Sequence, residues 1–126
     1  MTENEINVLR TKAFLESYGV NKKMLSMINY EKEYFRDSFE KEETLMPFSD
    51  EILIKTKMYE VRRFVANLPD GDEKALLFYH YIRGYSVEKC SELLRIGRTS
   101  AFRLRRRALV LATEKHTAQK ESTFCA

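Results

Sequence analysis

Apolar positions recur every three to four residues along most of this chain, the period of helices that each bury one face. Ile6, Leu9, Ala13, Phe14 and Tyr18 predict a first helix. Thr2 and Glu5 are spaced for a capping box at its start, and Gly19 is placed to end it. Asn21 then caps a second helix running to about Glu43 on the stripe Met24, Leu25, Ile28, Lys32 (through its aliphatic stem), Phe35 and Phe39. Tyr30 and Tyr34 lie off that stripe, either as a partner surface or as a second packed face. Pro47, within Thr44–Asp50, stops this helix. Ser49 or Asp50 caps a third, over about 50–67, with Ile54, Met58, Val61, Val65 and Leu68 on its buried side.

The turn Asn67–Asp72 leads into a fourth helix, 73–83, capped by Asp72 and ended by Gly84. Leu76, Leu77, Tyr79, His80 and Ile82 supply its inner faces. Ser86 is a good N-cap for the next helix, whose inner face is Val87, Cys90 and Leu94, with small Ser91 beside it. Arg95-Ile96-Gly97 interrupts the period. Ile96 is apolar inside this turn and is expected to plug the core, while Gly97 is expected to supply the unusual backbone angles. The last helix places Ala101, Leu104, Ala108 and Leu111 inward and its arginines elsewhere. Beyond Glu114 the period is lost, which predicts a frayed tail.

Composition agrees with an all-α chain. Four Gly and two Pro in 126 residues are too few for the many turns of an all-β fold, and 44% hydrophobic content is globular. No apolar run approaches the roughly 20 residues that span a bilayer. The N-terminus has acidic residues and no secretory signal core, so a cytoplasmic location and no membrane partner are expected. The two cysteines have neither metal nor redox spacing. No glycine loop, His cluster or nucleophile–base set accompanies them. No cofactor, no metal site and no catalytic residue are therefore expected, and His80 reads as a structural histidine.

Charge is distributed unevenly. Residues 1–50 carry −3 and residues 84–120 carry +6. Six arginines fall within Arg95–Arg107, the footprint of a helix that meets nucleic acid. At these residues the chain resembles region 4 of the sigma-70 family. The resemblance rests on Ser86, Cys90-Ser91, Leu94, Ile96-Gly97, Ser100-Ala101 and Arg106-Arg107-Ala108-Leu109, with Leu68-Pro69 and Asp72-Glu73 as the lead-in. It covers about residues 68–112. Lys89, Cys90, Ser91 and Gly97 depart from the family's usual Glu, Ile, Ala and Ser/Thr.

The resemblance implies a helix-turn-helix whose second helix enters the major groove of double-stranded DNA. Carried over by position, Arg98, Thr99 and Arg103 would read bases, with arginine bidentate to guanine. Ser86, Ser100, Phe102 and Arg106 would meet the DNA backbone. Arg105 and Arg107 would be phosphate contacts or solvated side chains. The N-terminal helices do not resemble the sigma region that opens promoters. The expected layout is an N-terminal extension over 1–46, a region 4-like domain over 47–114 and a flexible tail over 115–126. It is similar to small phage-encoded regulators of the ArpU/RinA type, which implies a transcription activator working with host RNA polymerase. A repressor, the DNA-binding part of a terminase small subunit, and a module that binds polymerase or a sigma factor without reading DNA are the rivals. Acidic charge would oppose residues 1–46 lying on DNA. They are expected to pair two copies, to dock on polymerase, or to cap the core.

Overall fold

A computed structural model describes residues 1–34 and 45–125. Five helices build it: α1 (Glu3–Tyr34), α2 (Leu45–Ala66), α3 (Asp72–Leu77), α4 (Val87–Leu94) and α5 (Arg98–Cys125). A π-helical turn, Phe78–Ile82, extends α3. No strand occurs among the described residues, so the fold is all-α.

One core joins all five helices. Leu15 and Tyr18 of α1 meet Val61, Phe64 and Val65 of α2, Leu76 and Leu77 of α3, Cys90 of α4, and Leu104, Ala108 and Ala112 of α5. The α2 stripe is as expected, with Ile54, Val61 and Val65 buried and Met58 packed against the core, and Leu68, just past the end of the helix, is buried as well. Phe64 joins them, edge-on to Phe14 of α1 with ring centroids 5.4 Å apart. Burial of Cys90 pushes its thiol pKa up, as for a small apolar side chain held from water.

Two expected helix boundaries move. Thr2 and Glu5 do form the capping box, with Glu5 N–H donating to Thr2 Oγ1 at 3.2 Å and Thr2 N–H to Glu5 Oε2 at 3.3 Å. Gly19, however, does not end α1; the helix runs through it for 32 residues. Tyr18 on one side and Asn21 on the other are both buried. Their packing outweighs the roughly 1 kcal/mol that glycine costs a helix interior. Asn21 is thus an interior residue and not a cap. The expected stripe residues Phe35 and Phe39 and the helix end at Glu43 lie outside the described residues. Nor does Pro47 separate two helices, because α2 already begins at Leu45. Proline is tolerated in a first turn, where its missing N–H has no intrahelical partner.

Lys32 near the end of α1 and Lys55 of α2 both hold the Glu51 carboxylate, Lys55 at 2.9 Å. These two ammonium groups hold the Glu51 pKa below its ordinary value, Lys32 most strongly. The tie is complete above the ordinary carboxylate range and is lost as pH falls through the lowered value.

The last helices also differ in detail. Gly71, extended, precedes α3, so Asp72 is its first residue and not its cap. Tyr81 is buried where Tyr79 and His80 were expected, and those two are half-buried. The inward fourth member of the α5 stripe is Ala112 and not Leu111, which is half-buried. The α5 helix does not fray after Glu114 but continues to Cys125. His116 anchors this stretch by stacking on Phe14 at 4.7 Å and meeting Phe64 edge-on at 5.6 Å. Its Nδ1 is 3.3 Å from the hydroxyl of buried Thr11.

The turn between α4 and α5 is a Schellman closure. Ile96 N–H donates to Ser91 O at 3.0 Å and Arg95 N–H to Glu92 O at 3.3 Å. Arg95 carries the left-handed conformation, φ 57°, that was expected of Gly97. Ile96 packs against the core from inside the turn, as expected of a plug.

Two substitutions check these backbone assignments. Gly19→Ala should raise stability by about 0.4–1 kcal/mol in denaturant unfolding, because an added Cβ meets nothing within 4 Å. A loss would mean that α1 breaks at Gly19 after all. Arg95→Gly should also stabilise, by about 1 kcal/mol, by relieving a left-handed non-glycine residue. Unchanged or lower stability would place the left-handed residue elsewhere.

Candidate nucleic-acid interface

The start of α5 is built by what holds it. Ser86 caps α4, its hydroxyl accepting from Lys89 N–H at 3.1 Å. That cap leaves the hydroxyl proton of Ser86 available to another acceptor. The Schellman turn then sets the direction of α5, and Ala101 N–H closes its first turn on Gly97 O at 2.9 Å. Ala101, Leu104, Ala108 and Ala112 are buried, which fixes the rotation of α5 about its axis.

With that rotation set, the outward positions follow at about 100° per residue. Thr99, Arg103 and Arg106 form one exposed line, with Arg107 beside it. Ser100 is exposed, and Phe102 is exposed by 39%. Arg98 is exposed too, but its Nη2 lies 3.0 Å from Glu88 Oε1 in the first turn of α4. The structure therefore brings together eight of the nine expected contact residues on the accessible surface of α4 and the first half of α5.

Arg105 is the exception. It is half-buried, and its Nε has no contact with solvent and no hydrogen-bond partner. Its guanidinium lies beside the Tyr81 hydroxyl, which is likewise buried without a partner in hydrogen-bonding geometry. Burial raises the Tyr81 pKa, and the Arg105 charge works against that rise. The inward turn was legible: Arg105 follows Ala101 by four residues and precedes Ala112 by seven, so it flanks the buried stripe.

Glu88 was not anticipated as a partner of Arg98. The pair crosses from one helix to the next, and no single-helix spacing signals it. Next to α4, His80 Nδ1 donates to Tyr85 O at 2.7 Å, since a carbonyl can only accept. Tyr79 stacks on Tyr85, with centroids 6.2 Å apart. This histidine thus braces the approach to α4.

A second feature lies between α1, α2 and α3. It is an open groove of about 990 Å³ with Tyr18, Met58 and Phe78 on its apolar wall and Lys55, Arg62, Arg63 and Lys74 around it. Lys74 is paired with Asp70 at 3.0 Å. Among the described residues, no group of three or more His, Cys, Asp or Glu is placed to hold a metal ion. Among the same residues, no helix is long and apolar enough to cross a membrane.

No protein-family model matches this chain, and no curated protein or solved structure shows significant similarity to it.

Proposed function

We propose that this chain is a sequence-specific DNA-binding regulator of transcription, with α4 and α5 acting as a sigma region 4-like helix-turn-helix. The observation that carries the proposal is the exposed line Thr99, Arg103 and Arg106 at the start of a helix whose rotation is fixed by buried alanines. A helix presented in this way can lay its first turns along the major groove. Arg103 and Arg98 are suited to guanine O6 and N7, and Thr99 to a base edge or a thymine methyl. Ser86, Ser100, Phe102, Arg106 and Arg107 surround them as backbone contacts. The fullest form of the proposal is a phage or prophage activator that works with host RNA polymerase.

A second reading is a module that binds polymerase or a sigma factor without reading DNA. The groove between α1, α2 and α3 favours it, since an apolar wall beside Arg62 and Arg63, with Lys55 and Lys74 in ion pairs at its edge, suits an acidic amphipathic helix. Selection from a random double-stranded DNA pool with the full chain separates the two. Recovery of a defined motif supports DNA reading; a pool that stays random, with binding weak at all salt concentrations, supports the module.

Substitutions sharpen the first reading. Arg103→Ala should cost about 1–3 kcal/mol at the selected site and relax preference at one base pair. Arg107→Ala should weaken cognate and random DNA alike and lower the salt slope by about 1. Equal losses on both DNAs for Arg103→Ala would refute its base-reading role. Glu88→Gln removes the competing carboxylate from Arg98 and should tighten binding by about two- to fivefold, the scale of an exposed ion pair. Weaker binding would show that Glu88 positions Arg98 instead of competing for it.

A further inference from the structure

Helix α1 has two apolar faces. Thr11, Leu15 and Tyr18 are buried against the core. About 180° around the helix runs a second stripe. Ile6, Ala13, Val20, Met27 and Tyr34 recur at strict intervals of seven residues. All are exposed, Val20 by 59% and Met27 by 64%. Leu9, Glu16, Lys23 and Tyr30 fall between them at the complementary spacing of three and four, and are also exposed. Sustained over four heptads, about 42 Å of helix, this is the spacing of a two-stranded coiled-coil seam, apolar at seven of its nine positions and charged at Glu16 and Lys23.

The charges beside the stripe favour a second copy of α1 lying over it. Arg10 and Lys12 flank its N-terminal end, and Glu31 and Glu33 flank its C-terminal end. A parallel second copy would set Glu16 on Glu16 and Lys23 on Lys23. An antiparallel second copy, with the two-fold axis between Asn21 and Lys22, sets Leu9 on Tyr34, Ala13 on Tyr30, Glu16 on Met27 and Val20 on Lys23. In that register Arg10 and Lys12 of each copy lie beside Glu31 and Glu33 of the other. Glu16, exposed and only loosely paired with Lys12 at 3.9 Å, falls one layer from Lys23 of the second copy. The helix is complementary to itself, but only when reversed.

We propose that the outer face of α1 is a dimer interface, pairing antiparallel with α1 of a second copy of this chain. The proposal rests on the faces of α1 alone and stands or falls independently of DNA reading. If both hold, the dimer carries two α5 helices related by a two-fold axis, and its DNA site is a pair of inverted half-sites.

Sedimentation velocity on the full chain tests the pairing. The wild type should sediment at twice the 14.9 kDa chain mass, and the Val20→Lys, Met27→Glu double variant, which sets like charges against Lys23 and Glu16 of the second copy, at the mass of one chain. Circular dichroism should show unchanged helix content in that variant, because both side chains are exposed. A wild type that is monomeric at every concentration, or a double variant that still dimerises, overturns the proposal. Direction is read by oxidation in a Cys125→Ser background. Chains carrying Ala13→Cys should cross-link to chains carrying Tyr30→Cys. Ala13→Cys cross-linking to itself instead overturns the antiparallel arrangement.

Discussion

The structure depends on a row of alanines. Ala101, Ala108 and Ala112, with Leu104, are buried along α5 and let the other helices approach it closely. Small side chains on this face leave one rotation of α5 that fills the core at native density. The placement of its arginines follows from that rotation. Thr99, Arg103, Arg106 and Arg107 point outward because the alanines point inward, and Arg105 is drawn toward Tyr81 because it borders the same stripe. Substituting a larger residue into the row would turn the helix or part it from the core, and the surface would be lost with it.

The same core absorbs the N-terminal helix. Leu15 is fully buried among residues of α2, α3 and α5, and Phe14 clasps His116 near the far end of α5. Helix α1 therefore braces the helix that carries the arginines, while its opposite face is solvent-exposed among the described residues of one chain. A single long helix serves both purposes because core side chains and seam side chains occupy different parts of the heptad.

The sequence made the regular elements legible and the exceptions less so. The α2 stripe, the Thr2–Glu5 capping box, the Ser86 cap and the Ile96 plug were readable because each is local, set by spacing within one helix or turn. Gly19 and Pro47 misled because local propensity was overridden, in one case by buried Tyr18 and Asn21, in the other by a first-turn position that needs no N–H. The C-terminal stretch was missed because its anchor is His116 and not an aliphatic residue; only contacts with Phe14, Phe64 and Thr11 from distant segments reveal it. The left-handed residue was assigned to Gly97 on chemistry, whereas the Schellman closure demands it at Arg95. Of the candidate surface, the arginine cluster was legible, but the Arg98–Glu88 pair was not, since it depends on how two helices cross.

On our proposal, the outward face at the start of α5 enters the major groove and reads base edges. The most direct measurement is dimethyl sulfate protection of guanine N7 on DNA bound by the full chain, because N7 lies on the major-groove edge that arginine would occupy. Major-groove reading predicts a small set of protected guanines, with at least one regaining reactivity when Arg103 is replaced by alanine. Guanines that stay fully reactive across the bound site, or protection indifferent to Arg103, would contradict it.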